Sequence, residues 1–287
     1  MLFSFVILHY RAVDETIKCV ESIKKTQQKS YHIVIVDNNS PDNSGQQLDS
    51  LYEGDNHITI LHNTINEGFA RGNNVGFRYS KYKLKADFII LQNNDTQVLQ
   101  ENFQDIVINE YNLSSFAVLG PLIKTPHPPF NSNPRSNKLP DINYVKRRLF
   151  NHRILLFLNY LHLDHYVLNI ISKRNHIKKD FNNLNSQIAS KLYNVCLHGS
   201  FMVFSPSYIR IFDGLNDKTF LYCEEELLYL RIINNHLKTV YLPDVIIFHK
   251  EDASTNAEFN KGLKKRRFQY HCIIQSFKVM IDELQKS

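Results

Sequence analysis

The chain has 287 residues, 43% of them hydrophobic and 22% charged, with 19 Phe, 15 Tyr and no Trp. That length and balance suit one large α/β domain, or one domain with a sizeable insertion, and exclude a fibrous or disordered chain. A formal net charge of +6 favours anionic partners, whether nucleotides, nucleic acid or acidic lipid surfaces.

The opening MLFSFVILHYR is apolar, but it is too short for a signal peptide and lacks a basic leading region. Phe3 to Leu8 reads instead as a strand covered on both faces. Asp14 predicts an N-cap, after which Ile17, Val20 and Ile23 recur at helical spacing through Lys25. Ile33 to Val36 predicts a second strand, stopped by the turn-rich Asp37-Asn38-Asn39-Ser40-Pro41. Ile58 to Leu61 predicts a third, Asn66 to Tyr79 a helix with a Gly-containing entry, and Phe88 to Leu91 a fourth strand ending at Asn93-Asn94-Asp95. Strands separated by helices predict a mostly parallel sheet with helices on both faces for residues 1–125, with ligands bound outside the carboxyl ends of the strands. Asp37 and Asp95 fall at such ends.

Residues 126–195 change character, with Pro126, Pro128, Pro129, Pro134 and Pro140 followed by Lys146-Arg147-Arg148 and an amphipathic stretch through Ile171. Two readings stand: a pair of helices packed on the core, or an interfacial surface touching an anionic membrane or a lipid-linked acceptor. Residues 196–287 return to strand-like Gly199 to Phe204, then a helix opened by Glu224-Glu225-Glu226. Strand-like Val245 to Phe248 ends at His249, and a basic tail from Lys261 to Arg267 reads as helical. No run of 18 apolar residues exists, so no transmembrane helix is expected. Cys19, Cys196, Cys223 and Cys272 lack a CxxC pair, which predicts thiols in a reducing cytoplasm rather than disulfides or a zinc site.

Several residues carry chemistry. Asn93 and Asp95 in a turn after a strand can hold Mg²⁺ or Mn²⁺ through oxygen, although Asn and Asp also favour turns for local reasons. Asp37 can accept hydrogen bonds from a base or ribose, or simply cap a turn. The run from Asn66 to Asn74 can bring backbone amides and Arg71 toward a diphosphate; it is not the GxGxxG dinucleotide fingerprint. Three adjacent glutamates suit a helix N-terminus, and their crowding also raises at least one pKa, as a general base requires. His249 can ligate metal or contact phosphate.

The ordered set ILHYRAVDETIKCVESI, IVIVDNNSPDNS, NEGFARGNNVGF, FIILQNNDT, HGSFMVF, FLYCEEELLYLR and VIIFHKEDAST resembles the inverting glycosyltransferases of family 2, nearest to the rhamnosyltransferase-like branch. The resemblance implies a GT-A fold, a Rossmann-like mostly parallel central sheet with helices on both faces, here with a helical insertion. It implies that Asp37 contacts the nucleotide base, and that Tyr10, Asn39, Asn66, Gly68, Arg71, Asn74, Asn93 and Asn94 shape the donor site. Asn93 and Asp95 match the ends of the family's metal-binding DxD motif, with His249 near the metal. Glu224-Glu225 matches the family's Glu-Asp pair, implying Glu225 as catalytic base with Glu224 as competitor. Leu227 stands where the branch often has Asp, and Arg11 where Asn is usual.

The implied reaction moves a sugar from a nucleoside-diphosphate sugar, dTDP-rhamnose or a UDP-sugar, to a saccharide or lipid-linked saccharide in bacterial surface polysaccharide synthesis. Mn²⁺ or Mg²⁺ would assist, in the cytoplasm at the inner face of the membrane; oligomeric state is left open. A sugar-nucleotide-forming nucleotidyltransferase is the enzymatic alternative, but no Gly-rich triphosphate loop follows Phe3 to Leu8. A nucleic-acid-binding protein is the non-catalytic one, but the basic residues are dispersed and no nucleic acid is expected. A nucleotide-binding protein without activity also remains.

Overall fold

The computed structural model describes residues 1–26, 28–126, 131–168, 190–250 and 262–286. In chain order the elements are β1 (Phe3–His9), α1 (Val13–Thr26), β2 (Tyr31–Asp37), α2 (Ser44–Leu51), β3 (Ile58–His62), α3 (Gly68–Tyr82), β4 (Phe88–Asn93), β5 (Thr96–Val98), α4 (Phe103–Ser114), β6 (Val118–Lys124), α5 (Ile142–Tyr160), β7 (Leu192–Tyr193), β8 (Phe201–Phe204), α6 (Pro206–Ile209), α7 (Glu224–Asn234), β9 (Thr239–His249) and α8 (Leu263–Leu284).

One sheet carries the order β3-β2-β1-β4-β8-β6-β9-β5, with β7 paired to β9. Its first four strands are parallel, as the strand–helix alternation predicts. The other half is mixed: β6 and β9 are parallel, while β8 runs antiparallel to both β4 and β6, and β5 antiparallel to β9.

β1 and β2 are apolar on both faces because helices cover both. Phe3, Phe5 and Ile7 face Val20 and Ile23 of α1, Leu48 of α2, and Phe103 and Val107 of α4. Val6, Val34 and Val36 face Ala70 and Phe77 of α3, Tyr208 of α6, and Leu228 and Ile232 of α7. A smaller third cluster, built on Val145, Leu227 and Met280, seats α5 and α8 on α7.

Two boundaries differ from expectation. Asp14 is not an N-cap: Arg11 and Ala12 take positive φ (56° and 50°), Ala12 O accepts from Glu15 N and Thr16 N, and Asp14 and Glu15 fall in the first turn of α1, where they complement the helix dipole. The basic tail is the start of the 22-residue α8, although Lys261 itself lies outside the described residues. Of the helix pair read into residues 126–195, α5 is present, begun by an Asp141 side chain that accepts from Asn143 N and Tyr144 N; residues 169–189 lie outside the description. No described helix is long and apolar enough to cross a membrane, and Cys19, Cys196, Cys223 and Cys272 are free thiols.

Candidate active site

The carboxyl ends of β4 and β9 meet through β5. Thr96 pairs with His249 in the antiparallel β5–β9 ladder, so the turn residue just before it is brought beside the last residue of β9. Asp95 Oδ1 therefore lies 3.2 Å from His249 Nε2, both side chains buried. Lys250 N donates to Asp95 O and fixes the same turn. Two donor atoms at that spacing suit adjacent positions around one cation, since two bonds of ~2.1 Å at right angles leave their donors ~3.0 Å apart. The Nδ1 of His249 is buried with no partner among the described residues. Asp95 and His249 are thus spaced as two ligands of one Mg²⁺ or Mn²⁺ would be, and no described cluster of three or more His, Cys, Asp or Glu side chains completes a shell around them.

Beside this pair, Asn93 N donates to Ser200 O, which draws the entry of β8 against the end of β4. His198, in that entry, stands 5.9 Å from His249 ring to ring. Ser200 N donates to His198 Nδ1, which makes that nitrogen an acceptor and leaves Nε2 to carry the proton of the neutral ring. Burial pushes the His198 imidazole down to about 4, so the ring is neutral at physiological pH.

The glutamates meet the same segment through Gly199. Tyr222 and Cys223 both take positive φ (80° and 67°), an uncommon conformation for side-chain-bearing residues that stores of order 1–3 kcal/mol at each. This bend starts α7 at Glu224. Glu225 Oε1 accepts from Gly199 N (3.2 Å) and from Arg135 Nη1 (3.0 Å), and the same guanidinium reaches Glu226 at 3.5 Å. Arg135 is held there because Arg135 N donates to Cys196 O and Cys196 N to Ser136 O. Glu224 is 5% exposed and accepts from Thr219 Oγ1. Burial first, then the neighbouring Glu225, pushes its carboxyl from 4.5 up to about 8. Glu226 is also raised, by burial and then Glu225, with Arg135 opposing. Crowding among the three acids does raise a pKa, but desolvation is the larger cause.

Two adjoining cavities share Phe69, Asn93, Leu221 and Tyr222 as common wall. The larger, about 500 Å³, holds Glu224, Glu225, Glu226, Arg135 and His198, with Tyr144 and Arg148 of α5 and Phe277 of α8 on its far side. The smaller, about 200 Å³, is bordered by Tyr10, Asn38, Asn66, Gly68 and Asn94, and closed by Lys265, Phe268 and Gln269 of α8. As a joined cleft they match the size of small-molecule sites, roughly 300–1,000 Å³.

Around the smaller cavity, Asn38 is a knot: its amide nitrogen donates to Asn66 Oδ1 and Gly68 O, and its oxygen accepts from Asn63 Nδ2 and Glu67 N. Gly68 has φ 75°, and a Cβ there would meet Phe220 O at 2.2 Å, so only glycine allows this approach. Asn94 Nδ2 donates to Thr16 Oγ1.

Asp95 and His249 border neither cavity, although Asn93 and Asn94 before them do, and four other sequence candidates also lie outside the walls. The Asp37 carboxylate accepts from Ser40 N and sits 3.3 Å from His62 Nδ1, leaving its neighbour Asn38 on the wall. Asn39 is exposed with φ 62°. Arg71 pairs with Glu67 along α3. Asn74 is buried, bonded both ways to the Leu215 backbone, and anchors the loop after α6. Sequence reasoning did not single out Asn38, Arg135, His198, Tyr222 or Lys265. His198 and Tyr222 lie inside the segments HGSFMVF and FLYCEEELLYLR, which were signal enough; Arg135 sits in a proline-rich stretch with no motif.

Known proteins resemble this chain in sequence and in fold. The chain is 32% identical over 117 residues to the glycosyltransferase GlyG of Streptococcus pneumoniae serotype 4, an alignment covering 38% of this chain and 39% of GlyG. The match thus spans about two fifths of that relative's length. Residues 1–349 of S. aureus TarS superpose with a TM-score of 0.53 at 12% identity, over 97% of this chain and 71% of that one. The same TarS fragment in complex with UDP-GlcNAc gives 0.54 at 13% identity, over 96% and 65%; in complex with UDP it gives 0.55 at 11% identity, over 97% and 71%. At such identities the likeness shows the fold, which is GT-A. Residues 4–175 match Glycosyl transferase family 2, more than half of the sequence, and the chain belongs to that family.

Proposed function

We propose that this glycosyltransferase moves a sugar from a nucleoside-diphosphate sugar to an acceptor hydroxyl in a single inverting displacement. The observation that carries the reading is the joined cleft, where a cavity bordered by Asn38, Asn66 and Asn94 meets at Asn93 another carrying three glutamates; the Asp95–His249 pair follows Asn93 and Asn94 in the chain but borders neither cavity. The donor would lie in the smaller cavity; that the donor is a nucleotide sugar is supported by TarS, whose structures include complexes with UDP and UDP-GlcNAc. The acceptor would enter the larger one. dTDP-rhamnose or a UDP-sugar as donor, and a growing surface saccharide as acceptor, are the finer expectations.

Glu225 is the base in this reading. At neutral pH Glu224 holds its own proton, with its carboxyl near 8, and cannot take another. Glu225 is oriented by Arg135 and Gly199 N on one oxygen. The acceptor oxygen attacks the anomeric carbon, its proton passes to Glu225, and the bond to the diphosphate breaks on the opposite face with its electron pair. A cation held at Asp95 and His249 would neutralise charge on the leaving diphosphate. The free thiols support a reducing cytoplasmic setting.

The test is a donor-hydrolysis screen across UDP-, dTDP- and GDP-sugars with Mn²⁺ or Mg²⁺. One nucleotide class should be hydrolysed, and chelator should abolish the signal. Hydrolysis of none, with no nucleotide bound, would overturn the donor assignment; full activity in chelator would remove the metal.

A further inference from the structure

We propose that the outer face of α5 docks on an anionic lipid bilayer, placing the acceptor cavity at the membrane surface. Phe150, Ile154, Phe157 and Leu161 fall at spacings of four, three and four residues, so they form one stripe along the helix. All four are exposed, Phe150 and Phe157 by 62% and 63%. At 100° per residue this stripe lies roughly 150° around from the buried row of Val145, Leu149 and Asn159. Exposed Lys146 and Arg153 border it on one side and Arg147 on the other, and α5 contains no Asp or Glu. A large apolar stripe edged only by cations matches a surface that is apolar beneath and negative above, which is the character of an anionic bilayer interface. The cations within its length stop α5 from crossing the bilayer, so it lies in the interfacial plane.

The same helix turns Tyr144 and Arg148 into the cavity that holds the glutamates. Lipid bound on its outer face is thus about one helix diameter, ~10 Å, from that cavity. The acceptor class that fits is a saccharide carried on a membrane-embedded lipid. This last step rests on the glycosyl-transfer reading; the docking itself does not.

The experiment is co-sedimentation of the full chain with vesicles of phosphatidylcholine, with and without phosphatidylglycerol, alongside vesicle-free donor hydrolysis. Three proteins are compared: the unaltered chain, Phe150→Ser/Phe157→Ser and Lys146→Gln/Arg153→Gln. The unaltered chain should sediment with the anionic vesicles, less so at high salt. The Phe variant should lose roughly tenfold or more in partitioning, and each removed cation about fivefold. Both variants should hydrolyse donor as the unaltered chain does, because these side chains face away from the cleft. No sedimentation, or unchanged partitioning of the Phe variant, overturns the docking. So does self-association abolished by the Phe substitutions without vesicle binding, which would make a second copy the occupant. Vesicle binding by a chain that hydrolyses no donor would uphold the docking and overturn the glycosyl reading.

Discussion

Glu224→Gln tests the electrostatics of the glutamate cluster without reference to any substrate. In the folded chain the Glu224 carboxyl is raised from 4.5 to about 8, chiefly by burial. Between these values the folded state keeps a proton that the unfolded state has released. The stability this gives is fully present below pH 4.5 and is lost as pH rises through 8. A separation of 3.5 units, at ~1.4 kcal/mol each, amounts to about 5 kcal/mol in all, of which about 4 kcal/mol falls between pH 5 and 8.5. Urea unfolding of both proteins at those two pH values is the assay. The difference in stability between the unaltered chain and Glu224→Gln should change by about 4 kcal/mol across the interval, the Gln protein gaining relatively at high pH. Equal pH slopes would show that Glu224 titrates as an ordinary carboxylate, and would remove the argument that excludes it as base.

Asp95→Ala should abolish metal-dependent nucleotide binding in calorimetry while leaving unfolding cooperative; unaltered Mn²⁺-dependent binding would take Asp95 out of the site. Gly68→Ala forces a side chain into a left-handed backbone position facing Phe220 O, so it should cost about 1–3 kcal/mol in urea unfolding and weaken donor binding; unchanged stability and affinity would show the contact relaxes freely. Asp164 is fully buried and accepts from Arg266, Tyr270 and Asn159, tying α5 to α8. Arg266 beside it holds its carboxyl well below the usual carboxylate range, so its stabilisation is present above the ordinary pKa and fades in strong acid. Asp164→Asn should cost about 3 kcal/mol in urea at pH 7, and no loss would mean that the pair only offsets its own desolvation.

The parallel half of the fold was legible because β1, β2 and β4 are covered on both faces and so read as unbroken apolar runs. The mixed half was not, because direction is not written in a strand: Phe201–Phe204 has the same composition whether it runs with or against β4. The start of α1 was misplaced because Arg11 and Ala12, two residues with no turn signature, adopt positive φ. The site was partly legible. Asn93, Asn94, Asp95, His249 and Glu224–Glu226 are short motifs at element ends, where sheet geometry concentrates function. Arg135 lies 90 positions from the glutamate it holds, and Lys265, Phe268 and Gln269 close the smaller cavity from a helix whose pattern shows only that it is amphipathic. Such contacts depend on how α8 and the 131–140 segment are laid over the sheet, which local periodicity does not encode. Asp37 illustrates the converse, a residue at the expected strand end whose carboxylate is engaged by Ser40 and His62 while Asn38 faces the cavity.

Single-turnover transfer by Glu225→Gln is the most direct measurement of the catalytic arrangement, with nucleotide affinity measured on the same protein. Nucleotide should bind within about twofold of the unaltered chain, since the substitution lies across Asn93 from the smaller cavity, and the transfer rate should fall ~10²–10⁴-fold through loss of the proton acceptor. Transfer at the unaltered rate would contradict the account.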